Sequence, residues 1–262
     1  HIEDYGDGMR YVLKPAGNNE NLVRIGDDAY PGKLLVSKNT LLRPKDIGAL
    51  SAAGLTRVPV YALPRVGIVS TGDELVPTDS RPLPGQVRDV NAPMLGHAVA
   101  VCPGEPVDYG ITPDNKEAII HTLLKAVADC DIVLLSGGSS AGEKDMTVEI
   151  LAECGEVYVH GLAVKPGKPT VLGAVGGKPV IGLPGHPVSA YFVFLMLAAP
   201  LIRALGGYEK APESVACELG ERLPSNHGRE EFVPVARQTV DGRPTAFPVA
   251  YKSGLITLLC AA

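Results

Sequence analysis

The sequence predicts an α/β protein: a doubly wound, mostly parallel sheet domain, flanked by a β-rich N-terminal segment and a small C-terminal β domain. Three observations predict it. Ile132-Val133-Leu134-Leu135 is an unbroken apolar run, too short for a typical helix and suited to a strand covered on both faces. The run breaks at once into Ser136-Gly137-Gly138-Ser139-Ser140, where glycine permits the tight backbone a strand exit needs. Between residues 65 and 205, strand-like runs alternate with helical periodicity, the signature of βαβ units wound into one sheet.

Residues 1–64 read as the β-rich segment. Short strands are expected over 11–13, 21–25 and 33–36, separated by Gly-Asn-Asn and Pro-Gly turns. A helix is expected over 44–53, with Pro44 in its first turn and Gly54 at its end. A strand over 58–63 follows, closed by Pro64.

The sheet domain is assigned to 65–206. A strand over 66–70 runs into Thr71-Gly72-Asp73-Glu74-Leu75, and a proline-rich loop follows it to Asp89. Asn91 is placed to cap a helix ending near 101, before Cys102-Pro103-Gly104. After a strand over 107–111, Asp114 is placed to cap the next helix, whose Ile119, Ile120, Leu123, Leu124 and Val127 form one broad apolar stripe. The strand at 132 comes next, then a helix over about 147–153. The helix over 187–205 is apolar nearly all round and therefore expected in the core. After Gly206-Gly207 the texture turns to β again, over 214–219, 231–238 and 245–249, with Asp241-Gly242 as a hairpin turn. Residues 207–262 are taken as the third domain.

At 262 residues the chain is long enough for a sizeable core and two or more domains. No uninterrupted apolar run approaches the roughly 20 residues that span a bilayer, so no membrane partner is expected. The start, from His1 to Gly6, lacks the basic and apolar regions of a signal peptide. A net charge of −5 argues against nucleic acid as the main partner. The cysteines, Cys102, Cys130, Cys154, Cys217 and Cys260, are scattered and form no C-x-x-C, which suits a reducing cytoplasm and excludes a zinc ribbon.

Four loops can meet at the carboxyl ends of the parallel strands, where α/β sheets collect ligands. The Ser136 loop could converge backbone N–H groups on an anion, and it closes with Glu143-Lys144-Asp145. Thr71-Gly72-Asp73-Glu74 leaves a strand with two adjacent carboxylates, the hard donors that Mg²⁺ shares with phosphate oxygens. Lys165-Pro166-Gly167-Lys168 presents two ammonium groups on a stiffened loop, a grip for a polyanion. Gly185-His186-Pro187-Val188-Ser189 opens a helix whose free N–H groups favour phosphate. Each loop also has an ordinary structural use. Together they describe a Mg²⁺ and phosphate site, with neither a nucleophilic triad nor a G-x-x-x-x-G-K-[ST] loop.

These motifs carry a resemblance. S-T-G-D-E-L at 70–75, S-G-G-S-S-A-G-E-K-D at 136–145, K-P-G-K-P at 165–169 and G-L-P-G-H-P-V-S-A at 182–190 resemble the molybdopterin molybdenumtransferase family, in its order and at about its spacing. The segment 24–54 and the tail Ser253-Gly254-Leu255 are similar to the family as well. The resemblance implies insertion of molybdate into adenylylated molybdopterin, with Mg²⁺ and release of AMP, by a cytoplasmic homodimer. It implies catalytic roles for Glu74, Asp114, Asp145 and Lys165, with Glu74 and Asp145 as metal ligands. Thr71, Gly72, Asp73, Ser136, Gly137, Gly138, Ser139, Lys168, Gly185, His186 and Ser189 would bind substrate. His186 stands where the family commonly has asparagine. The family also carries a further portion ahead of the position of His1, including active-site residues, so the resemblance implies either a piece of a longer protein or absent preceding residues. Two other readings stay open: the related molybdopterin adenylyltransferase, and a non-catalytic scaffold like gephyrin, whose E domain is an animal relative. A last expectation is that Gly137→Val weakens ligand binding while leaving the melting temperature nearly unchanged.

Overall fold

A strand with apolar residues at every position needs a layer on each side, and the computed structural model supplies both. It describes residues 2–15, 17–137, 146–208, 214–225, 228–249 and 252–261. These divide into two compact units, His1–Pro59 and Val60–Ala262.

In the first unit, β1 (Ile2–Asp4) pairs antiparallel with β2 (Arg10–Val12), and α1 runs over Pro44–Ala52. Proline in the first turn and Gly54 at φ +76° bound that helix as the sequence predicts. The stretches 21–25 and 33–36 are not strands. Val23 and Ile25 stand exposed, because an apolar run becomes a strand only where a partner ladder accepts its backbone groups.

The second unit begins the sheet. The expected strand over 58–63 is irregular, and β3 (Arg65–Thr71) follows it. A small parallel ladder of β4 (Leu75–Val76) and β5 (Val87–Arg88) folds the proline-rich loop back on itself. Then come α2 (Asn91–Val101), β6 (Glu105–Thr112), α3 (Lys116–Asp129), β7 (Ile132–Ser136) and α4 (Met146–Cys154). Next are β8 (Glu156–His160), β9 (Val164–Lys165), β10 (Val171–Val175) and β11 (Lys178–Leu183). The six-stranded sheet has the order β6-β3-β7-β11-β10-β8. The first four strands are parallel, and β10 runs antiparallel to both its neighbours. The sheet is thus mixed at one side while remaining mostly parallel.

β7 lies in the middle, and its pleat divides the core. Ile132 and Leu134 join Leu95, Val99, Phe194 and Ile202 on one face. Val133 and Leu135 join Ile119, Leu123, Ile150 and Leu151 on the other. On α3 the buried stripe is narrower than the sequence suggests, since Leu124 is exposed.

The late helix is continuous over Pro187–Leu205 but not uniform: α5 (Pro187–Val193), a π-helical turn (Phe194–Ala198) and α6 (Ala199–Leu205). Pro200 explains the wide turn, because it lacks the N–H that an α-helical bond to Met196 requires. The stretch is long and apolar enough in composition to cross a membrane, which counting uninterrupted apolar runs did not register. Its Val188, Ala190, Val193, Phe194, Ala198 and Ile202 are fully buried, and most of them pack on the sheet as core.

β12 (Glu218–Leu219), β15 (Arg243–Pro248) and β14 (Val235–Val240) form a three-stranded sheet, while β13 (Glu230–Glu231) pairs with β9. Asp241 and Gly242, at φ +49° and +76°, make the predicted hairpin turn. A 3₁₀ helix covers Ile256–Ala261.

Candidate active site

Four strands end at one edge of the sheet, and their register fixes what meets there. Thr71 pairs with Thr112, Ser70 with Ser136, and Ser136 with Leu183. The residues just beyond these strands, Gly72-Asp73-Glu74, Asp114, Gly137 and Gly185-His186, therefore share that edge. The starts of three of the four loops the sequence singles out, at Thr71, Ser136 and Gly185, thus lie along that edge.

The floor of the edge is buried and polar. Ser70, Thr71 and Ser136 are each at most 3% exposed, deep enough that a missing partner matters. Among the described residues, the side-chain oxygens Ser70 Oγ, Thr71 Oγ1 and Asn91 Oδ1 are buried without a hydrogen-bond partner. Natural proteins rarely leave such atoms unsatisfied, which marks the floor as a place a ligand or water completes.

Gly137 stands at φ +110°, and a Cβ built on it would lie 2.1 Å from the Thr71 carbonyl oxygen. Its backbone is thus wedged against the end of β3, and its N–H donates to Leu183 O at 3.4 Å. Two expectations change accordingly. This N–H is not aimed at an anion, and any side chain at 137 must disturb the fold as well as the site. Gly138, Ser139 and Asp145 lie outside the described residues.

The rim carries charge. Asp73, Glu74 and Asp114 are exposed, and Asp114 N donates to Asp73 Oδ1 at 3.1 Å. Glu74 folds its carboxylate back over Gly72, close enough that a side chain there would displace it. Partial burial, then the charges of Glu74 and Asp73, push the Asp114 carboxyl above the usual carboxylate range. Asp114 does not cap α3. Asn115 does, its side chain accepting from Ala118 N at 3.1 Å, which leaves the Asp114 carboxylate available to the rim.

Asn91 likewise is not a cap. Asp89 takes that role, its Oδ1 accepting from Asn91 N at 3.0 Å and Ala92 N at 3.1 Å. The Asn91 amide is then free to donate to Ser136 Oγ at 2.7 Å and to Gly185 O at 2.9 Å. Asn91 and Asp89 belong to the site and were missed, although Asp89-Val90-Asn91 was visible as a polar pair beside a helix start.

The start of α5 is partly occupied. Ser253 O accepts from Val188 N at 3.0 Å, and Ser253 Oγ lies 2.9 Å from His186 Nδ1. The C-terminal segment therefore uses one of the N–H groups that the sequence offered to phosphate, while Ser189 is buried beneath. Lys165 donates to Glu231 Oε1 at 2.7 Å, an ion pair tied to the β9–β13 ladder. Lys168 is exposed, and its carbonyl accepts from Leu162 N at 2.9 Å.

Residues 67–204 match the family described as a probable molybdopterin binding domain, and residues 216–262 match the MoeA C-terminal region (domain IV). The chain is similar to a molybdopterin molybdenumtransferase from Nostoc sp., 37% identical over 80% of this chain and 50% of that one. A protein of the same name from Haemophilus influenzae is 34% identical over 82% of this chain and 54% of that one. Among solved structures, a molybdopterin biosynthesis MoeA protein from Pyrococcus horikosii superposes with a TM-score of 0.81 at 36% identity. It covers all of this chain, which spans 64% of it. The chain spans about half the length of the curated relatives it matches. Matches to the sheet domain and to the C-terminal region, in the same order, carry one conclusion: the chain belongs to the MoeA family of molybdopterin-binding proteins of molybdenum cofactor biosynthesis.

Proposed function

We propose that this chain supplies the ligand-binding edge of a molybdopterin molybdenumtransferase, which inserts molybdate into adenylylated molybdopterin and releases AMP. The observation that carries the reading is the edge itself, where buried hydroxyls of Thr71 and Ser136 form a floor under a rim of Asp73, Glu74 and Asp114. A phosphoanhydride ligand suits that division, since hydroxyls donate to its oxygens from below.

The donor chemistry fits Mg²⁺. Three carboxylates share one rim, where burial first and then the charges of Glu74 and Asp73 push Asp114 up, and a cation relieves the repulsive part. Among the described residues no three His, Cys, Asp or Glu side chains are grouped to hold a metal, so the ion would need phosphate oxygens and water to complete its shell. Glu74, with Asp145, would hold it, and Asp73 and Asp114 would orient its waters. When bound, it would neutralise charge on the phosphoanhydride as AMP leaves.

The protein's own groups would do the rest. Ser136 and Thr71 would fix the phosphate end, with Gly72, Gly138, Ser139 and Gly185 allowing close approach. Lys165 would exchange its carboxylate partner Glu231 for the molybdate dianion, helped by Lys168. His186 and Ser189 would brace the opening of α5. On the same reading the protein is a cytoplasmic homodimer, and 1–64, 65–206 and 207–262 are its domains within this chain. Light scattering should give roughly twice 27.4 kDa for the chain by itself; a monomer would remove the dimer from the proposal.

The decisive assay supplies full-length protein with adenylylated molybdopterin and Mg²⁺ and follows AMP. Release should require molybdate, and Glu74→Gln or Asp145→Asn should slow it at least ~10-fold. Release that ignores both molybdate and these changes would sink the proposal.

A further inference from the structure

Asn91 does more than join two loops. An amide side chain can present either oxygen or nitrogen to a neighbour, but Gly185 O, 2.9 Å away, can only accept. That contact fixes the NH₂ group toward Gly185, and the same nitrogen then donates to Ser136 Oγ at 2.7 Å. Ser136 Oγ is therefore an acceptor in this pair, and its own proton must point elsewhere. Among the described residues that hydroxyl donates to nothing, although Ser136 is 2% exposed. The opposite end of the same amide, Asn91 Oδ1, is buried without a partner. Both groups are committed in advance to a partner that the described residues do not supply.

We infer that Asn91 is a positioning residue of this edge, holding the Ser136 hydroxyl ready to donate to a phosphate oxygen and presenting its own Oδ1 to a donor on the ligand. The inference rests on the proposed ligand, adenylylated molybdopterin, and deepens it. Backbone geometry explains why asparagine can do this. Asp89 accepts from Asn91 N and Ala92 N, so the start of α2 is satisfied without Asn91's side chain. The end of β7 and the turn after β11 are thereby pinned to one side chain from α2.

Asn91→Asp tests it. The ionised variant can only accept, so it would capture the Ser136 proton and repel phosphate. When protonated it would lose the charge and regain one donor, enough for one of the two bonds that the amide makes to Ser136 Oγ and Gly185 O. The titratable groups at this edge are Asp89 on its own segment, Asp73, Glu74 and Asp114 beyond β3 and β6, and His186 beyond β11. All are present in the wild type, which serves as the baseline. Calorimetry on full-length protein with adenylylated molybdopterin should show the variant weakened about tenfold or more at pH 8. The deficit should shrink as the pH falls to 5, relative to wild type at each pH. A deficit equal at both pH values, or absent, overturns the assignment.

If Asn91→Asp does not fold, Asn91→Ala, Ser136→Ala and the double variant take its place. The double variant should bind no worse than the weaker single, and additive losses overturn the assignment. A wild type that does not bind the ligand overturns the functional reading, and this inference with it. Wild-type binding with unaltered variants removes Asn91 alone.

Discussion

Gly137→Ala should cost the fold, not merely the site. At φ +110° an L-residue is held in a conformation worth roughly 1–2 kcal/mol of strain. Its Cβ would also stand 2.1 Å from Thr71 O and 2.7 Å from Thr71 Oγ1. An ordinary carbon–oxygen contact is more than 1 Å longer, so the end of β3 must move, and overpacking of that kind costs about 1–3 kcal/mol. The two terms sum to about 2–5 kcal/mol. At about 2–4 °C per kcal/mol for a unit of this size, the melting temperature should fall by about 4–20 °C. Gly185→Ala is the control, because among the described residues its Cβ would meet only Gly137 Cα, at an ordinary 3.8 Å. That variant should melt within about 1–2 °C of wild type, the scale of a neutral surface change, while weakening binding of adenylylated molybdopterin. Differential scanning calorimetry and titration of both variants decide the matter. A Gly137→Ala protein that melts like wild type would show that β3 and the Gly137 turn are not in contact. The earlier expectation for Gly137→Val fails on the same grounds: the larger side chain meets the same carbonyl.

Two further substitutions test the rim and the start of α2. Asp114 carries a raised carboxyl in the folded state, so its contribution to stability is complete below the unfolded value near 3.8 and is lost as pH rises through the raised one. Asp114→Asn should therefore melt about 1–2 °C above wild type at pH 7.5, a small gain because the group is exposed and screened, and should match it near pH 3; a gain at pH 3 alone would contradict the crowding of Asp73, Glu74 and Asp114. Asp89→Ala removes the acceptor for two N–H groups at the start of α2 and should cost about 1 kcal/mol, read as a melting shift of about 2–4 °C. If Asn91 depends on that cap for its placement, ligand affinity falls with it, and unchanged affinity would separate the two.

How much of this was legible depended on distance along the chain. The strand over Ile132–Ser136 could be read because its apolar run and its glycines are contiguous, and a doubly covered strand has no simpler sequence. The stretches at 21–25 and 33–36 have comparable apolar content, yet they are not strands, since local composition does not reveal whether a ladder partner exists. Cap assignments missed by one or two residues for a related reason. Asp114 and Asn115 are both good caps, and so are Asp89 and Asn91. Only the three-dimensional register shows which of each pair faces the helix and which faces the strand exits.

The site repeats that rule at longer range. Glycines and carboxylates immediately after strands announced three of the four loops, because a strand exit and its charge lie within a few residues. The residues that organise those loops are far apart: Asn91 and Gly185 are 94 positions apart, and Lys165 and Glu231 are 66. No spacing rule links them. The β4–β5 ladder, which returns the proline-rich loop toward the sheet edge, brings Asp89 and Asn91 to the exits of β7 and β11. The β9–β13 ladder gives Lys165 its carboxylate partner in the same way. Both ladders are only two residues long, too short to read from sequence. Each nevertheless decides what a charged or polar side chain can reach. A lysine that looked like an anion grip is thus already paired, and an asparagine that looked like a helix cap instead ties the end of β7 to the turn after β11 through Ser136 and Gly185.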